Sequence, residues 1–172
     1  MGVLLNKEKN PFVIAIDGPA GSGKGTVAKK LANKLNYHYL DSGAIYRVIA
    51  YAVKKNNIKP TSVHKLIDLV MKSKIKFSND MVWLNDEDVS TLIRTQLIGK
   101  LASEIAIYEE LRASIMDFQR EFCRLPGLVA EGRDMTSIVF PNANLKIYLN
   151  ASVDERAKRR YKQLISKENS VN

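Results

Sequence analysis

Lys24 closes the core of a run, Gly18-Pro19-Ala20-Gly21-Ser22-Gly23-Lys24-Gly25-Thr26, in which four of nine residues are glycine. Residues without a Cβ can take up backbone angles closed to others, so such a run can curl until successive N–H groups face one concavity. A helix predicted to begin at Lys24 adds the positive end of its dipole to the same spot. Lys24 adds a mobile point charge able to reach β- and γ-phosphates. The chemistry that this favours is phosphoryl transfer, in which the protein mainly positions groups and stabilises charge. Gly18 through Thr26 are therefore candidate ligands of a nucleoside triphosphate, with Lys24 as a catalytic cation. One departure from the usual pattern stands out: Gly25 replaces the hydroxyl directly after the lysine, and Thr26 follows one place later. Thr26 is then expected to reach Mg²⁺ only through water.

Two further groupings follow short apolar runs. Asp41-Ser42-Gly43-Ala44-Ile45-Tyr46-Arg47 carries a guanidinium whose planar fork suits a terminal phosphate, although an arginine snorkelling from an apolar helix is the other reading. Leu128-Val129-Ala130-Glu131-Gly132-Arg133-Asp134 places a carboxylate where a strand should end, a position from which Glu131 could hold hydrated Mg²⁺. Arg133 and Asp134 could form a surface ion pair, but their place at the strand end favours contact with a ligand. A third cluster, Arg156, Lys158, Arg159, Arg160 and Lys162, lies within one predicted helix. Its arginines could neutralise a phosphoryl group in transit and exclude water on closure. A nucleic-acid patch is the rival, yet the cluster is interleaved with no aromatic beyond Tyr161 and no nucleic-acid motif accompanies it.

The elements that must position these residues can be read from periodicity. Phe12 to Ile16 is a short apolar run ending in Asp17, as expected of a buried parallel strand. Val27, Leu31 and Leu35 recur at helical spacing after the glycine-rich loop, and Tyr37 to Leu40 reads as a second strand. Asp41 and Ser42 cap a helix to about Lys55, with Ile45, Val48, Ile49 and Val53 as its apolar stripe. Strand, helix, strand, helix predicts an α/β fold with a parallel sheet flanked by helices. After Pro60 the texture changes: Thr61 or Ser62 caps a helix to about Ser73, and Ile75–Phe77 and Met81–Leu84 flank Asn79 and Asp80 as a hairpin. A small inserted subdomain over about 60–90 is expected within a single domain. Helical spacing returns over 93–107 and 109–122. Leu128–Ala130 and Leu145–Leu149 are two more strands, and a helix capped by Ser152 runs to about Ile165.

Composition narrows the class. The chain has 172 residues, of which 45% are hydrophobic and 26% charged, ordinary for a soluble globular protein with one core. Val3-Leu4-Leu5 is too short for a signal-peptide core or a membrane span. Cys123, the single cysteine, cannot form an internal disulfide and reads as a small apolar filler in a reduced, cytoplasmic chain. His38 and His64 lack neighbours at metal-ligand spacing and read as structural. A net charge of +9, carried partly by single arginines beside turn residues, suits discrete phosphates better than a continuous groove. Lys29, Lys30 and Lys34 read as a solvated helix face.

In order and spacing, the glycine-rich loop, Leu40 to Arg47, Ile93-Arg94-Thr95, Glu131 to Met135 and Val139-Phe140-Pro141 resemble the bacterial type of cytidylate kinase, from about Phe12 onward. The resemblance implies a P-loop kinase fold with an inserted nucleoside-monophosphate-binding subdomain, and ATP-dependent phosphorylation of CMP or dCMP. By the same resemblance Ser103, Arg112 and Asp134 surround cytosine, and Arg47 and Arg133 hold the acceptor phosphate. Ser42 and Tyr46 join them as substrate-binding residues, Arg156 and Arg159 as ATP-binding residues, and Arg133, Arg156 and Arg160 as catalytic cations beside Lys24. Thr26 and Glu131 are the Mg²⁺ ligands through water. Partners are then small molecules, with no nucleic acid and no membrane, and the protein is expected to be a monomer. Cytosine presents an amino donor and two acceptors, which a carboxylate, a hydroxyl and a guanidinium can complement; uracil would set oxygen against Asp134.

Members of that family continue beyond the position of Asn172 through the rest of a lid, a strand and a helix, so a chain ending there is expected to have little kinase activity. Two other readings compete: a P-loop kinase for UMP, AMP or a metabolite alcohol, and a P-loop switch. Against a GTPase switch, Asn33-Lys34-Leu35-Asn36 ends in the wrong residue for guanine recognition.

Overall fold

A computed structural model of the chain describes residues 10–78 and 81–168. Val3-Leu4-Leu5, the Asn79–Asp80 turn and the chain end at Asn172 lie outside the described residues. The chain divides into two compact units, residues 1–40 with 121–172, and residues 41–120.

The first unit is built on a four-stranded sheet. Its strands are β1 (Phe12–Asp17), β2 (His38–Asp41), β6 (Gly127–Gly132) and β7 (Leu145–Tyr148), in the order β2-β6-β1-β7. β1 runs parallel to β6 from Phe12↔Gly127 to Asp17↔Gly132, and parallel to β7 from Ile14↔Leu145 to Asp17↔Tyr148. Residues 13–17 and 127–132 are buried without alternation, the pattern of strands covered on both faces. Helix α1 (Lys24–Leu35) closes one face, where Ala28 and Ala32 meet Ile14, Ile16 and Val129. The stripe Val27, Leu31, Leu35 is therefore corrected: Val27 and Leu35 are exposed and Leu31 is only partly buried. Small residues on the inward side let the helix approach the sheet closely, and that rotates the larger ones outward. Asn36 ends the helix in the left-handed conformation, its N–H returning to the carbonyls of Ala32 and Asn33. Helix α6 (Val153–Glu168) starts as its sequence predicts, with Ser152 Oγ accepting from Glu155 N at 3.3 Å.

In the second unit, Asp41 caps α2 (Ser42–Lys55) by accepting from Ala44 N at 3.0 Å, a contact of the kind worth about 1 kcal/mol. Ile45, Val48, Ile49 and Val53 are all buried, as their spacing predicts. α3 (Val63–Lys72) follows Ser62, whose hydroxyl makes no capping bond; the first turn is closed instead by Leu66 N donating to Ser62 O. Three antiparallel strands come next, β3 (Ile75–Ser78), β4 (Met81–Leu84) and β5 (Glu87–Asp88), where the sequence predicts two. The third is two polar residues long and has no apolar alternation to reveal it, but Asn85 and Asp86, both at positive φ, make the tight turn that leads into it. Glu87 then accepts from Tyr51 Oη at 3.0 Å and pairs with Lys55 Nζ at 2.5 Å.

The helical run expected from Ile93 to Ile107 is split. Leu92–Arg94 is a single 3-10 turn, Thr95 is extended and accepts from Ile98 N at 3.4 Å, and α4 (Gln96–Ile105) starts afresh. Periodicity could not show the break, because a capping threonine keeps the apolar phase on either side. α5 (Glu109–Arg120) buries Leu111, Ile115 and Gln119 along one line, with Gln119 Nε2 donating to Ser42 Oγ at 2.9 Å.

Candidate functional site

The glycine-rich loop leaves β1 at Gly18 and enters α1 at Lys24 in the first unit. Gly21 and Gly23 have φ of 78° and 94°, conformations that side-chain-bearing residues rarely adopt, which is how the loop curls. Lys24 Nζ lies 3.6 Å from Glu131 Oε2, both side chains being largely shielded from solvent. Glu131 is 5% exposed and its Oε1 accepts from Tyr39 Oη at 2.9 Å. A Cβ added at Gly25 would stand 2.7 Å from Glu131 Oε1. A serine or threonine there would have to displace the strand-end carboxylate, which Tyr39 and Lys24 both contact. Thr26 is exposed one residue further on.

Asp17, 3% exposed at the end of β1, accepts three hydrogen bonds. Oδ1 receives Met135 N at 2.9 Å, and Oδ2 receives Thr136 N at 2.8 Å and Thr136 Oγ1 at 2.6 Å. Arg133 and Asp134 lie between β6 and this anchored turn, Arg133 exposed and Asp134 half-buried. Residues 135–139 form one wide helical turn, with Ile138 N and Val139 N donating to Asp134 O.

Helix α6 lies against the loop. Arg159 Nη1 donates to Ser22 O at 2.9 Å and to Gly21 O at 3.4 Å, while its Nε donates to Glu155 Oε1 at 2.7 Å. Arg156 packs over Gly21, where an added Cβ would come within 3.1 Å of its own. Arg160 belongs to the same helix, but its side chain lies outside the described residues. Ser22 Oγ and Arg156 Nε are buried and make no hydrogen bond among the described residues. Both carry a hydrogen to donate, and an unsatisfied buried donor costs about 1–3 kcal/mol. Oxygen-rich anions supply the acceptors such groups need, so the loop and its cover fit a triphosphate.

The remaining predicted residues lie in the second unit. Arg47 Nη1 donates to Ile93 O at 2.9 Å and to Thr95 O at 3.4 Å, which fixes one edge of the guanidinium. A Cβ at Gly99 would stand 2.8 Å from Arg47 Nη2, so glycine is what lets α4 lie against the fork. Ser103, exposed, donates to Gly99 O at 3.1 Å and so shares that stretch of α4 with Arg47. Ser42 is buried against Gln119, and Tyr46 and Arg112 are half-buried. Among the described residues no three His, Cys, Asp or Glu side chains group as a metal site. His38 Nε2 lies 2.9 Å from Leu125 O and His64 is exposed. Cys123 is half-buried with its thiol pKa pushed up by desolvation, as befits a filler.

Sequence reasoning passed over Tyr39, Asp17, Gln119 and Gly99. Asp17 and Gln119 carry a readable signal, since a polar side chain that ends a buried apolar strand or falls on an apolar stripe requires a partner. Tyr39 and Gly99 carry none, because their neighbours are distant in sequence.

Comparison with known proteins places the chain among relatives of one kind. The model of the family described as cytidylate kinase matches residues 14–172. A protein of Cupriavidus necator named cytidylate kinase is 51% identical over 160 residues, covering 93% of this chain and 72% of that protein. One of Nitrosomonas europaea with the same name is 46% identical over 163 residues, covering 95% of this chain and 73% of its own length. A third, from Polynucleobacter asymbioticus, is 52% identical over 155 residues, covering 90% and 70%.

Proposed function

The chain belongs to the cytidylate kinase family, and from that premise we propose that it transfers the γ-phosphoryl group of ATP to CMP or dCMP. An oxygen of the acceptor phosphate attacks the γ-phosphorus, the bond to the β–γ bridging oxygen breaks, and ADP leaves with that electron pair. The observation that supports this reading most directly is the pairing of Lys24 with the buried Glu131 at the rim of the glycine-rich loop. A cation and a carboxylate meet there where the β- and γ-phosphates would lie.

In this reading the N–H groups of residues 18–26 seat the triphosphate tail and Lys24 draws charge from the β–γ bridge. Arg47 and Arg133 hold the acceptor phosphate in line, with Ser42 and Tyr46 beside it. Ser103, Arg112 and Asp134 complement cytosine, the carboxylate accepting from the exocyclic amine. Arg156 and Arg160 neutralise the charge that builds on the equatorial oxygens, and Arg159 braces the loop. Thr26 and Glu131 would hold Mg²⁺ through water, and the ion when bound supplies charge neutralisation across the phosphates. ATP and CMP as sole partners, a monomeric state and a cytoplasmic location complete the reading. No helix among the described residues is long and apolar enough to cross a membrane.

Calorimetric titration with CMP, dCMP, UMP and AMP, paired with a coupled assay for ADP release, tests it. One good base-edge contact is worth about 1–3 kcal/mol, so CMP should be preferred over UMP by roughly ten- to a hundredfold. Equal use of UMP or AMP would overturn the assignment of the acceptor.

A further inference from the structure

We propose that Asp17 is a positioning residue for base selection: it fixes the turn after Arg133 and Asp134, and so aims the Asp134 carboxylate. The inference rests on the acceptor assignment made above. It starts from a division of labour within the first unit. Asp134 occupies the N-cap position of the turn 135–139, where an aspartate would ordinarily accept from the first N–H groups, yet its side chain makes no capping bond. Those N–H groups, of Met135 and Thr136, go instead to the two carboxylate oxygens of Asp17, at 2.9 Å and 2.8 Å. The capping duty has thus moved to a residue at the end of β1, 118 positions before Met135 in the chain. The Asp134 side chain is then not committed to capping its own turn.

Asp17 is well built for this task. It is 3% exposed, and its strand position is paired with Gly132, the last residue before Arg133. Its own carbonyl accepts from Leu149 N at 2.8 Å, so backbone and side chain are both committed. The next residue is Gly18, where the phosphate loop begins. One buried carboxylate therefore ties the start of that loop to the segment that would read the acceptor base. All three of its partners donate, which makes the substitution Asp17→Asn diagnostic. Replacing either oxygen by an NH₂ group sets donor against donor, at Met135 N on one side or at Thr136 N and Oγ1 on the other.

The test compares steady-state kinetics of the full chain and of Asp17→Asn, Thr136→Val and Thr136→Ser with CMP, UMP and MgATP. For Asp17→Asn, KM for CMP should rise about tenfold and the CMP-to-UMP ratio of kcat/KM should fall by a similar factor, with KM for MgATP within about twofold of wild type. Thr136→Val, which loses only the hydroxyl contact, should fall between, and Thr136→Ser, which keeps it, should match wild type. A folded Asp17→Asn protein with unchanged CMP preference overturns the proposal. Should that variant fail to fold, the valine and serine pair decides, and equal ratios for the two overturn it. Wild-type protein that uses UMP as well as it uses CMP would remove the acceptor assignment itself. Amide exchange at Met135 and Thr136 then judges the positioning separately: protection lost in Asp17→Asn supports it, and unchanged protection refutes it.

Discussion

Tyr39 gives its phenolic hydrogen to Glu131, 2.9 Å away and 92 residues later in the chain, and so locks the carboxylate that faces Lys24. Glu131 is buried at the end of β6, and the phenol adds a short, directional hydrogen bond to its 3.6 Å ion pair with a flexible lysine. Tyr39→Phe should leave the fold intact at a cost of about 1 kcal/mol and lower kcat about tenfold with little change in KM for CMP. Steady-state kinetics beside a denaturation curve checks both. A kcat equal to wild type would mean that Glu131 needs no such orientation.

Gly25→Ser restores the hydroxyl that phosphate loops usually carry after their lysine, yet it should impair the protein. The new Cβ would stand 2.7 Å from Glu131 Oε1 and push the carboxylate away from Tyr39. ATP affinity measured by calorimetry should drop about tenfold, a loss of about 1.4 kcal/mol. A gain in affinity would show that the glycine is not there to make room.

In the second unit, Arg47 and Gly99 form a similar pair. Gly99→Ala places a methyl 2.8 Å from Arg47 Nη2, and Arg47→Lys keeps the charge but loses the fork. Each should raise KM for CMP by about tenfold or more while KM for MgATP stays within about twofold. An effect on MgATP alone would remove Arg47 from the acceptor side.

Those pairs also mark where sequence reading stops. The parallel sheet, the loop between β1 and α1 and the α2 stripe were readable, because each is a local pattern of apolar spacing, glycine and capping. The inward face of α1 was not, since Ala28 and Ala32 lie there while the larger Val27 and Leu35 face out. Strand β5 escaped because Glu87 and Asp88 are held by partners and not by an apolar alternation. Glu131 was readable as a strand-end carboxylate, but the reason Gly25 must accompany it is a contact across 106 residues that no local pattern encodes.

Gln119 tests the inner wall of the second unit. It is 2% exposed and donates to Ser42 Oγ at the start of α2. Gln119→Leu keeps the volume and leaves the buried hydroxyl without its donor, so unfolding free energy from urea titration should fall by about 1–3 kcal/mol. Gln119→Glu should be worse at neutral pH, because a charge would be buried with a single hydroxyl to solvate it.

Acid should weaken one surface cluster selectively. Hydrogen bonds from Lys55 and then Tyr51 hold the Glu87 carboxyl below its ordinary value of 4.5, so its contribution to stability is fully present above that value and is lost as pH falls through the lowered pKa. The same contact raises the Lys55 pKa from 10.5, and that contribution is lost only at alkaline pH. Wild type should therefore exceed Glu87→Gln in denaturation midpoint at pH 7, with the gap closing below pH 4.5 and shrinking in high salt. A gap independent of pH would assign the difference to packing.

Arg159 touches the outer side of the phosphate loop, giving one guanidinium nitrogen to the carbonyls of Gly21 and Ser22. A cation on a peptide oxygen draws electron density along the amide and leaves the N–H at its other end more positive. Those N–H groups belong to Ser22 and Gly23. The pull of the cup on an anion can thus be tuned from behind as well as from in front, by one arginine of a helix more than a hundred residues downstream.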